Sequence, residues 1–422
     1  MKQKSLLYGE LIVLFWFLAA TSQAMYLGEN SIEKITTHLG HDVYDDKLAF
    51  AVSNDTAVWF DIRNIDWYPQ VYGVNLSDPN HTEFAIDLYA SGRMALAMSG
   101  TRIIYPVPIS EDFGPQYLRL ADISNQKKPH LFNITLPTPY IGDFDISGVR
   151  IAFTGIDPEN NYQDIVYLAD ITDPNVVQQV PVFFMPEYDS VRGLAIDENR
   201  IIWSRRKADK SRVVQVADIS NPSDPNISTA ILPQTFAFES LQASGTWLVS
   251  SGSEASYHRI YAVHNYWDTD NWDIQILWRE GENGEYLISG PRVDGPFVVW
   301  IINRPVSASS GATKMDGRSQ YLIKAAYLMD NGRFSISTLL ADPNEIGNAD
   351  ISGTQVVWSC WQSEAEVTDL FKAEINLECG DWGYRTGDLN RDCKVDLKDL
   401  AIMSRDWLAC TQPEQENCEF GI

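Results

Sequence analysis

Oxygen-bearing side chains near the carboxyl end of the chain have a spacing that could bind a metal ion. They stand at positions 1, 3, 5, 9 and 12 of a twelve-residue loop and are Asp388, Asn390, Asp392, Asp396 and Asp399. Lys394, at position 7, would contribute its backbone carbonyl. This is the ligand spacing of a calcium loop, because calcium prefers roughly six to eight oxygen ligands. We therefore predict that residues 388–399 bind calcium; the alternative is an Asp-rich surface turn that binds nothing.

An apolar stripe with helical spacing follows this loop, formed by Leu397, Leu400, Ala401, Trp407 and Leu408. The loop and the predicted helix resemble half of a type I dockerin, a calcium module that attaches secreted bacterial polysaccharide-degrading proteins to cohesins. The resemblance covers about residues 387–409. It departs from the family at Cys393, where glycine is usual, and in having one loop instead of two. It implies calcium as cofactor and a cohesin-like or cell-surface protein as partner.

Four of the five cysteines lie in this C-terminal region, at Cys379, Cys393, Cys410 and Cys418. Small exported modules gain stability from disulfides, so we predict two of them here. Cys393 and Cys410 flank the predicted helix and would lie about 17 Å apart, too far for a disulfide. Two pairings remain, and the local one, Cys379–Cys393 with Cys410–Cys418, is favoured. A zinc site is the alternative, although the close C-x2-C pairs of such sites are missing.

The chain begins with the features of a secretory signal peptide. Lys2 and Lys4 precede an apolar run over residues 11–20, and Ser22-Gln23-Ala24 has small residues where a signal peptidase reads. We predict cleavage before Met25 and a secreted, extracellular or periplasmic protein, with an uncleaved anchor as the alternative. No later segment is long and apolar enough to span a bilayer, so no membrane span is expected after cleavage.

The composition limits the classes of partner. The 422 residues have a formal net charge of -25, and such an acidic surface repels phosphate backbones, which argues against nucleic acid. Aromatic residues make up 12% of the chain, including 13 Trp, alongside many Gly and Pro. This mixture is typical of many short strands joined by turns.

A turn followed by an apolar strand recurs between Met25 and about Glu378. The turns are anchored at residues 45, 91, 147, 197, 244, 294 and 352, a spacing of about 50 residues. Each unit adds further strands, such as residues 165–171, to give four antiparallel strands. One such sheet cannot bury both faces alone, whereas sheets stacked around an axis can. We predict an all-β fold, a seven-bladed β-propeller, with six or eight blades as alternatives.

The N-terminal strand is predicted to close the ring. Residues 32–37 match the outer-strand pattern of residues 334–339, and the seventh unit ends after about three strands near Leu377. The predicted domains are a signal peptide at 1–24, a propeller at 25–378 and a dockerin-like module at 379–422. The repeated Ala-Asp-Ile-Ser/Thr-Asn/Asp-Pro segments resemble those of TolB-like and other bacterial extracellular propellers.

The body contains few residues that indicate chemistry. It has no G-x-S-x-G elbow, no H-E-x-x-H and no nucleotide-binding loop. Asp87 and Asp143 could form the carboxylate pair of a glycoside hydrolase, although Asp side chains that support turns or face channel water are the simpler interpretation. The loop with Tyr266, Trp267 and Trp272 is the candidate ligand-contacting patch.

Two histidines and one cysteine of the body have side chains that could bind a metal or react. His38 and His41 could approach a metal near the axis, against surface histidines as the alternative. Cys360 is predicted to be a buried thiol in an apolar strand.

Together these features favour a non-catalytic binding or assembly component of extracellular polysaccharide breakdown, with a polysaccharide as ligand. A propeller glycoside hydrolase or polysaccharide lyase with the same tail is the alternative.

Overall fold

Short strands joined by tight turns make up the part of the chain that the computed structural model describes. The described residues are 24–27, 31–36, 49–61, 69–88, 95–108, 116–138, 140–157, 163–233, 236–254, 257–281, 285–305, 319–329, 332–362 and 367–378. Several predictions therefore concern residues outside these ranges: the signal peptide up to residue 23, His38 and His41, the six calcium-loop residues, and the cysteines 379, 393, 410 and 418.

The chain divides into two compact units. Residues Met1–Tyr26 and Asn376–Ile422 form one, and Leu27–Ile375 form the other, which is the propeller. In the first unit the described residues belong to strand β1 (Ala24–Leu27) and to the end of the last strand, which are hydrogen-bonded neighbours. In the described ranges, no helix is both long and apolar enough for a membrane crossing.

Seven antiparallel sheets form the propeller, as predicted. After β2 (Glu33–Lys34), the first three blades comprise β3 (Phe50–Ser53), β4 (Thr56–Asp61), β5 (Gln70–Asn75), β6 (Glu83–Asp87); β7 (Ala97–Ser99), β8 (Arg102–Pro108), β9 (Gln116–Asp122), β10 (His130–Ile134); and β11 (Ile141–Ser147), β12 (Arg150–Asp157), β13 (Gln163–Asp170), β14 (Gln178–Phe184). Within each blade the strands pair in chain order.

The next three blades repeat this order. They comprise β15 (Ser190–Asp197), β16 (Arg200–Arg206), β17 (Arg212–Asp218), β18 (Asn226–Ile231); β19 (Ser240–Ser244), β20 (Trp247–Glu254), β21 (Tyr257–His264), β22 (Ile274–Arg279); and β23 (Tyr286–Asp294), β24 (Phe297–Pro305), β25 (Ser319–Leu328), β26 (Phe334–Asp342). The first strand of each blade faces the axis and the fourth lies outermost.

The seventh blade combines the two ends of the chain. It contains β27 (Ile346–Ser352), β28 (Gln355–Gln362) and β29 (Val367–Glu378), and β2 pairs with β29 as the outer strand. Glu33 lies opposite Lys372, and Lys34 lies opposite Phe371. The predicted closure by the N-terminal strand is therefore confirmed.

The core repeats from blade to blade. The second strand of six blades places an aromatic ring at the same position, and these rings are Trp59, Tyr105, Phe153, Trp203, Trp300 and Trp358, each at most 2% exposed. In the fifth blade the position is taken by Ser250, also buried. These rings fill the space between neighbouring sheets, which is the burial that a single blade cannot provide.

An interblade belt of hydrogen bonds runs around one end of the inner strands. The last inner-strand residue of each blade accepts the turn N–H of the next blade; the acceptors are Ser53, Ser99, Ser147, Asp197, Ser244, Asp294 and Ser352, and the donors are Gly100, Gly148, Glu198, Gly245, Gly295, Gly353 and Asn54. All seven donors have positive φ, between 48° and 60°. Five of them are glycine because side-chain-bearing residues rarely adopt that conformation.

The belt also corrects two of the predicted turns. In the first two blades the equivalent turns follow residues 53 and 99, and the predicted anchors at 45 and 91 lie outside the described residues. The other five anchors, at 147, 197, 244, 294 and 352, are correct.

Candidate functional site

The seven inner strands surround a central channel of about 470 Å³. Its lining comes from β3, β7, β11, β15, β19, β23 and β27 and includes the belt residues at one end. Inner strands converge on the axis, so side chains that alternate toward it from all seven blades share one small space. A volume of this size suits a small molecule or a few residues of an extended chain.

The described lining of the channel is strongly acidic. Its carboxylates are Asp143, Asp145, Asp197, Glu239, Asp294 and Asp350, and its basic side chain is Arg292. Low-dielectric walls with charges of one sign concentrate the field, so the channel attracts cations. Of the two acids considered from the sequence, Asp87 and Asp143, only Asp143 lines the channel.

Asp145 and Asp350 occupy equivalent positions, two residues before the belt residues of their blades. Asp145 accepts the N–H of Ile196 in the next blade at 3.0 Å, and Asp350 accepts that of Val52 at 2.8 Å. Burial raises the pKa of Asp145 to about 6, against the opposing effects of these hydrogen bonds and of Arg292. Burial also raises the pKa of Asp350. Both carboxyls therefore link neighbouring blades as well as lining the channel.

Asp143 and Glu239 have a different role, because no described residue hydrogen-bonds to either carboxylate. The contacts of Asp143 with Thr154 use only its backbone. Burial and the negative charge of Asp164 raise the pKa of Asp143. These two acids are therefore the channel groups that can pair with a ligand.

The structure does not bring Asp87 and Asp143 together as a carboxylate pair. Asp87 lies on the outer strand β6, where Arg119 Nη1 donates to it at 2.6 Å and Tyr105 Oη donates at 2.9 Å. Asp87 and Asp143 would be equivalent only if the turn of the second blade lay at residue 91. The turn follows Ser99, so the residue that corresponds to Asp143 is Ala95. Asp87 is thus a buried ion-pair partner and lies away from the channel.

The predicted aromatic patch is divided between core and surface. Tyr266 is 0% exposed and donates its hydroxyl to Asp197 at 3.2 Å, while Trp272 Nε1 donates to the Tyr266 carbonyl at 2.9 Å. Trp267 is 37% exposed, with the Arg200 guanidinium 4.4 Å from its ring centroid. A ligand role for this loop stays a prediction, and among the three it would depend on Trp267.

Cys360 is a free, buried thiol, as predicted. Burial raises its pKa to about 12, which keeps it protonated and unreactive at neutral pH.

Comparisons with solved structures support the propeller fold. No protein-family model and no curated protein matches the sequence. The propeller domain of the Trilobed protease from Pyrococcus furiosus, described as having an open velcro topology, is similar with a TM-score of 0.53 and 12% identity, over 80% of this chain and 99% of that domain. Pyrococcus horikoshii acylaminoacyl peptidase is similar with a TM-score of 0.52 and 10% identity, over 80% of this chain. The match spans 53% of that peptidase, about half its length.

These findings overturn the interpretation as a component of polysaccharide breakdown, whether binding or hydrolytic. The two propellers compared above belong to peptidases. The carboxylate pair considered for glycoside hydrolysis is also not formed, because Asp87 lies on the outer strand β6 and is paired with Arg119.

The raised pKa of Asp145 leads to a pH-dependent prediction. Below about pH 4 the carboxyl is protonated in both folded and unfolded chains, and as the pH rises through about 6 the folded state must ionise a buried group, so wild-type stability falls. Asp145→Asn removes this titration. We expect the unfolding free energy of the variant relative to wild type to rise by about 1–3 kcal/mol between pH 4 and pH 7. Urea titrations at both pH values measure it, and a pH-independent difference would contradict it.

Proposed function

We propose that this chain is a non-catalytic propeller that binds peptides, with a cationic group of the peptide entering the central channel. The observation that carries the proposal is the excess of carboxylates in the channel, six against one guanidinium, with Asp143 and Glu239 free to pair. A lysine or arginine side chain, or a free amino terminus, supplies the complementary charge.

Two further observations support this proposal. The channel volume of about 470 Å³ suits a few residues of an extended chain. The fold is similar to propellers of the Trilobed protease and of an acylaminoacyl peptidase. Binding is favoured over catalysis because four of the channel acids, Asp145, Asp197, Asp294 and Asp350, already accept hydrogen bonds from the next blade.

The proposal is tested by the affinity of fluorescently labelled peptides of equal length, one rich in lysine and one rich in glutamate, measured by anisotropy. We expect the lysine peptide to bind and the glutamate peptide not to bind. Asp143→Asn should weaken lysine-peptide binding by about tenfold, because one desolvated charge contact contributes about 1.4 kcal/mol.

The matched control for this experiment is Asp224→Asn, an exposed acid in the turn between β17 and β18. It makes the same charge change away from the channel, and it should leave affinity within about twofold, since exposed charges contribute little. Equal binding of the two peptides, or equal losses in the two variants, would refute the proposal.

We further propose that residues 388–399 bind calcium in an exported protein with a dockerin-like tail; the ligand spacing and the N-terminal signal pattern support this. Calcium should raise the melting temperature of the tail in the wild type, and a double variant, Asp388→Ala with Asp392→Ala, should lose this response. An unchanged calcium response in the variant would remove the loop from consideration.

A further inference from the structure

A second cavity, of about 410 Å³, lies between the fourth and fifth blades at the end opposite the interblade belt. Its lining includes Arg192, Arg205, Arg206 and Arg212, together with Glu239. Four arginines among the lining residues are unexpected in a chain with a formal net charge of -25. The guanidinium of one of them, Arg205, lies over the Phe183 ring of the third blade. We call this cavity the arginine pocket.

Two of these arginines have no anionic partner among the described residues. Arg205 Nε is paired with Asp189 Oδ2 at 2.8 Å. Arg192 has Asp164 as its acidic neighbour: burial raises the pKa of Asp164, and the positive charge of Arg192 acts to lower it. Arg206 and Arg212, in contrast, lie directly opposite each other across the β16–β17 hairpin. Within the described ranges neither forms an ion pair. Like charges in directly opposed strand positions repel each other, so this pair is stabilised when an anion lies between them.

The surrounding sequence strengthens the positive field. The hairpin over residues 204–213 contains Arg205, Arg206, Lys207, Lys210 and Arg212 against a single acid, Asp209. The Asp209 carboxylate is engaged by the Ser211 N–H at 2.8 Å. An anion that approaches this hairpin therefore meets a locally basic surface on an otherwise acidic protein.

The remaining wall of the pocket indicates what the anion is attached to. Val213, Leu232 and Phe238 line it and are buried, so one side of the pocket is apolar. Ser204 also lines it; this residue is 3% exposed, and its hydroxyl has no partner among the described residues. An unsatisfied buried hydroxyl is costly, and an oxygen of a bound ligand would satisfy it.

From this geometry we propose that the arginine pocket binds a carboxylate on an apolar stem. Arg206 and Arg212 form the charged clamp, because guanidiniums match the two oxygens of a carboxylate. The stem packs on the wall at Phe238. This site is independent of the proposed function, and its ligand has the opposite charge from that of the channel. A peptide carboxyl terminus and a small free carboxylate share this chemistry.

The test uses isothermal titration of the full chain with three probes: hexanoate, an acetylated pentapeptide ending in leucine with a free carboxylate, and the same peptide as its carboxy-terminal amide. We expect the free-acid peptide to bind at least about tenfold more tightly than the amide, the difference expected from a charge-assisted contact. Binding of hexanoate alone would identify small carboxylates as the ligands, and binding of the free-acid peptide would identify carboxyl termini. Equal binding of acid and amide, or binding of none of the probes, would overturn the proposal.

Variants separate the clamp from general positive charge. Arg206→Gln and Arg212→Gln should each weaken carboxylate binding by about tenfold, and Arg206→Lys should give a smaller loss because it keeps the charge but not the fork. The matched control is Lys207→Gln, which removes the same charge from the same hairpin outside the lining. A loss in Lys207→Gln equal to that in Arg206→Gln would overturn the clamp.

Glu239 distinguishes this inference from the proposed function, because it lines both cavities. Glu239→Gln should tighten carboxylate binding in the arginine pocket and weaken lysine-peptide binding in the channel. Asp143→Asn should weaken lysine-peptide binding in the channel and leave carboxylate binding in the arginine pocket unchanged. If carboxylate binding weakens in Glu239→Gln, the assignment of the ligand's charge is wrong.

Discussion

A chain that lacks residues 25–36 should not form a stable propeller. Strand β2 is the outer strand of the seventh blade, and the adjoining Ile35 donates its N–H to the Leu370 carbonyl at 2.9 Å. Ile35 is 2% exposed and packs in a cluster with Phe50 and Trp59 of the first blade. Removing this segment therefore exposes apolar surface of two blades at once.

Polar contacts add to the effect of this deletion. Asp369 is buried and is paired with Lys34 at 2.8 Å, and Thr36 Oγ1 donates to it at 3.3 Å. Without these partners the Asp369 carboxylate is a buried charge with fewer compensating contacts, which is strongly unfavourable.

A point substitution tests how much the N-terminal segment stabilises the ring without deleting any residues. Ile35→Ala should lower the unfolding free energy by about 2–4 kcal/mol, from lost burial and the cavity that remains. The matched control is Ile32→Ala, which makes the same change at a side chain that is 48% exposed and should have an effect below about 0.5 kcal/mol. Urea denaturation followed by tryptophan fluorescence gives both values. A monomeric truncated chain with the wild-type melting temperature would show that the ring does not depend on β2.

Gly252→Ala should be the most damaging single-methyl substitution in the fifth blade. A Cβ at this position of β20 would overlap the Ala237 carbonyl oxygen and lie 2.6 Å from its carbonyl carbon. Both atoms are backbone, and the segment is held by the Ala237 N–H to the Ser253 carbonyl at 2.9 Å, so rotation of a side chain cannot relieve the clash. We expect a loss of about 3 kcal/mol or more.

Gly290→Ala is the matched control for this clash. Its Cβ would lie 3.1 Å from the Ser240 hydroxyl, the movable end of a side chain, so the cost should stay below about 1 kcal/mol. Because the segment displaced in Gly252→Ala includes Ala237 and Phe238 of the arginine pocket, the variant should also lose carboxylate binding. Thermal melts of the two variants test the difference, and equal melting temperatures would contradict the close approach.

The blade number and the ring closure could be predicted because both depend on repeated local patterns. Each blade carries its own turn and apolar strand, and five of the seven turn positions agree with the structure. The turns of the first two blades could not be located in this way. Asn54 replaces glycine at the positive-φ position of the first, and a second Ser-Gly at residues 91–92 competes with Ser99-Gly100 in the second.

The candidate sites were harder to predict because they are assembled across blades. Asp145, Arg292 and Asp350 come from three different units, and nothing local distinguishes them from other strand residues. All three stand two residues before the turn of their blade, and this shared position is the sequence signal that could have predicted that they lie together. The sequence signal for the arginine pocket was clearer, because residues 204–213 form a basic run in an acidic chain. The sequence could not show that Tyr266 of the aromatic loop is buried, because its hydroxyl donates a hydrogen bond to Asp197 within the protein.

The interblade belt has a consequence for how such a ring changes size in evolution. Every repeat carries both halves of the link, an acceptor at the end of its inner strand and a donor in the turn that follows. Duplication or loss of one whole repeat would therefore regenerate a complete junction on each side, with no new recognition chemistry needed. The number of blades could thus change by gene rearrangement, and the packing of the buried aromatic rings between neighbouring blades limits which numbers are stable.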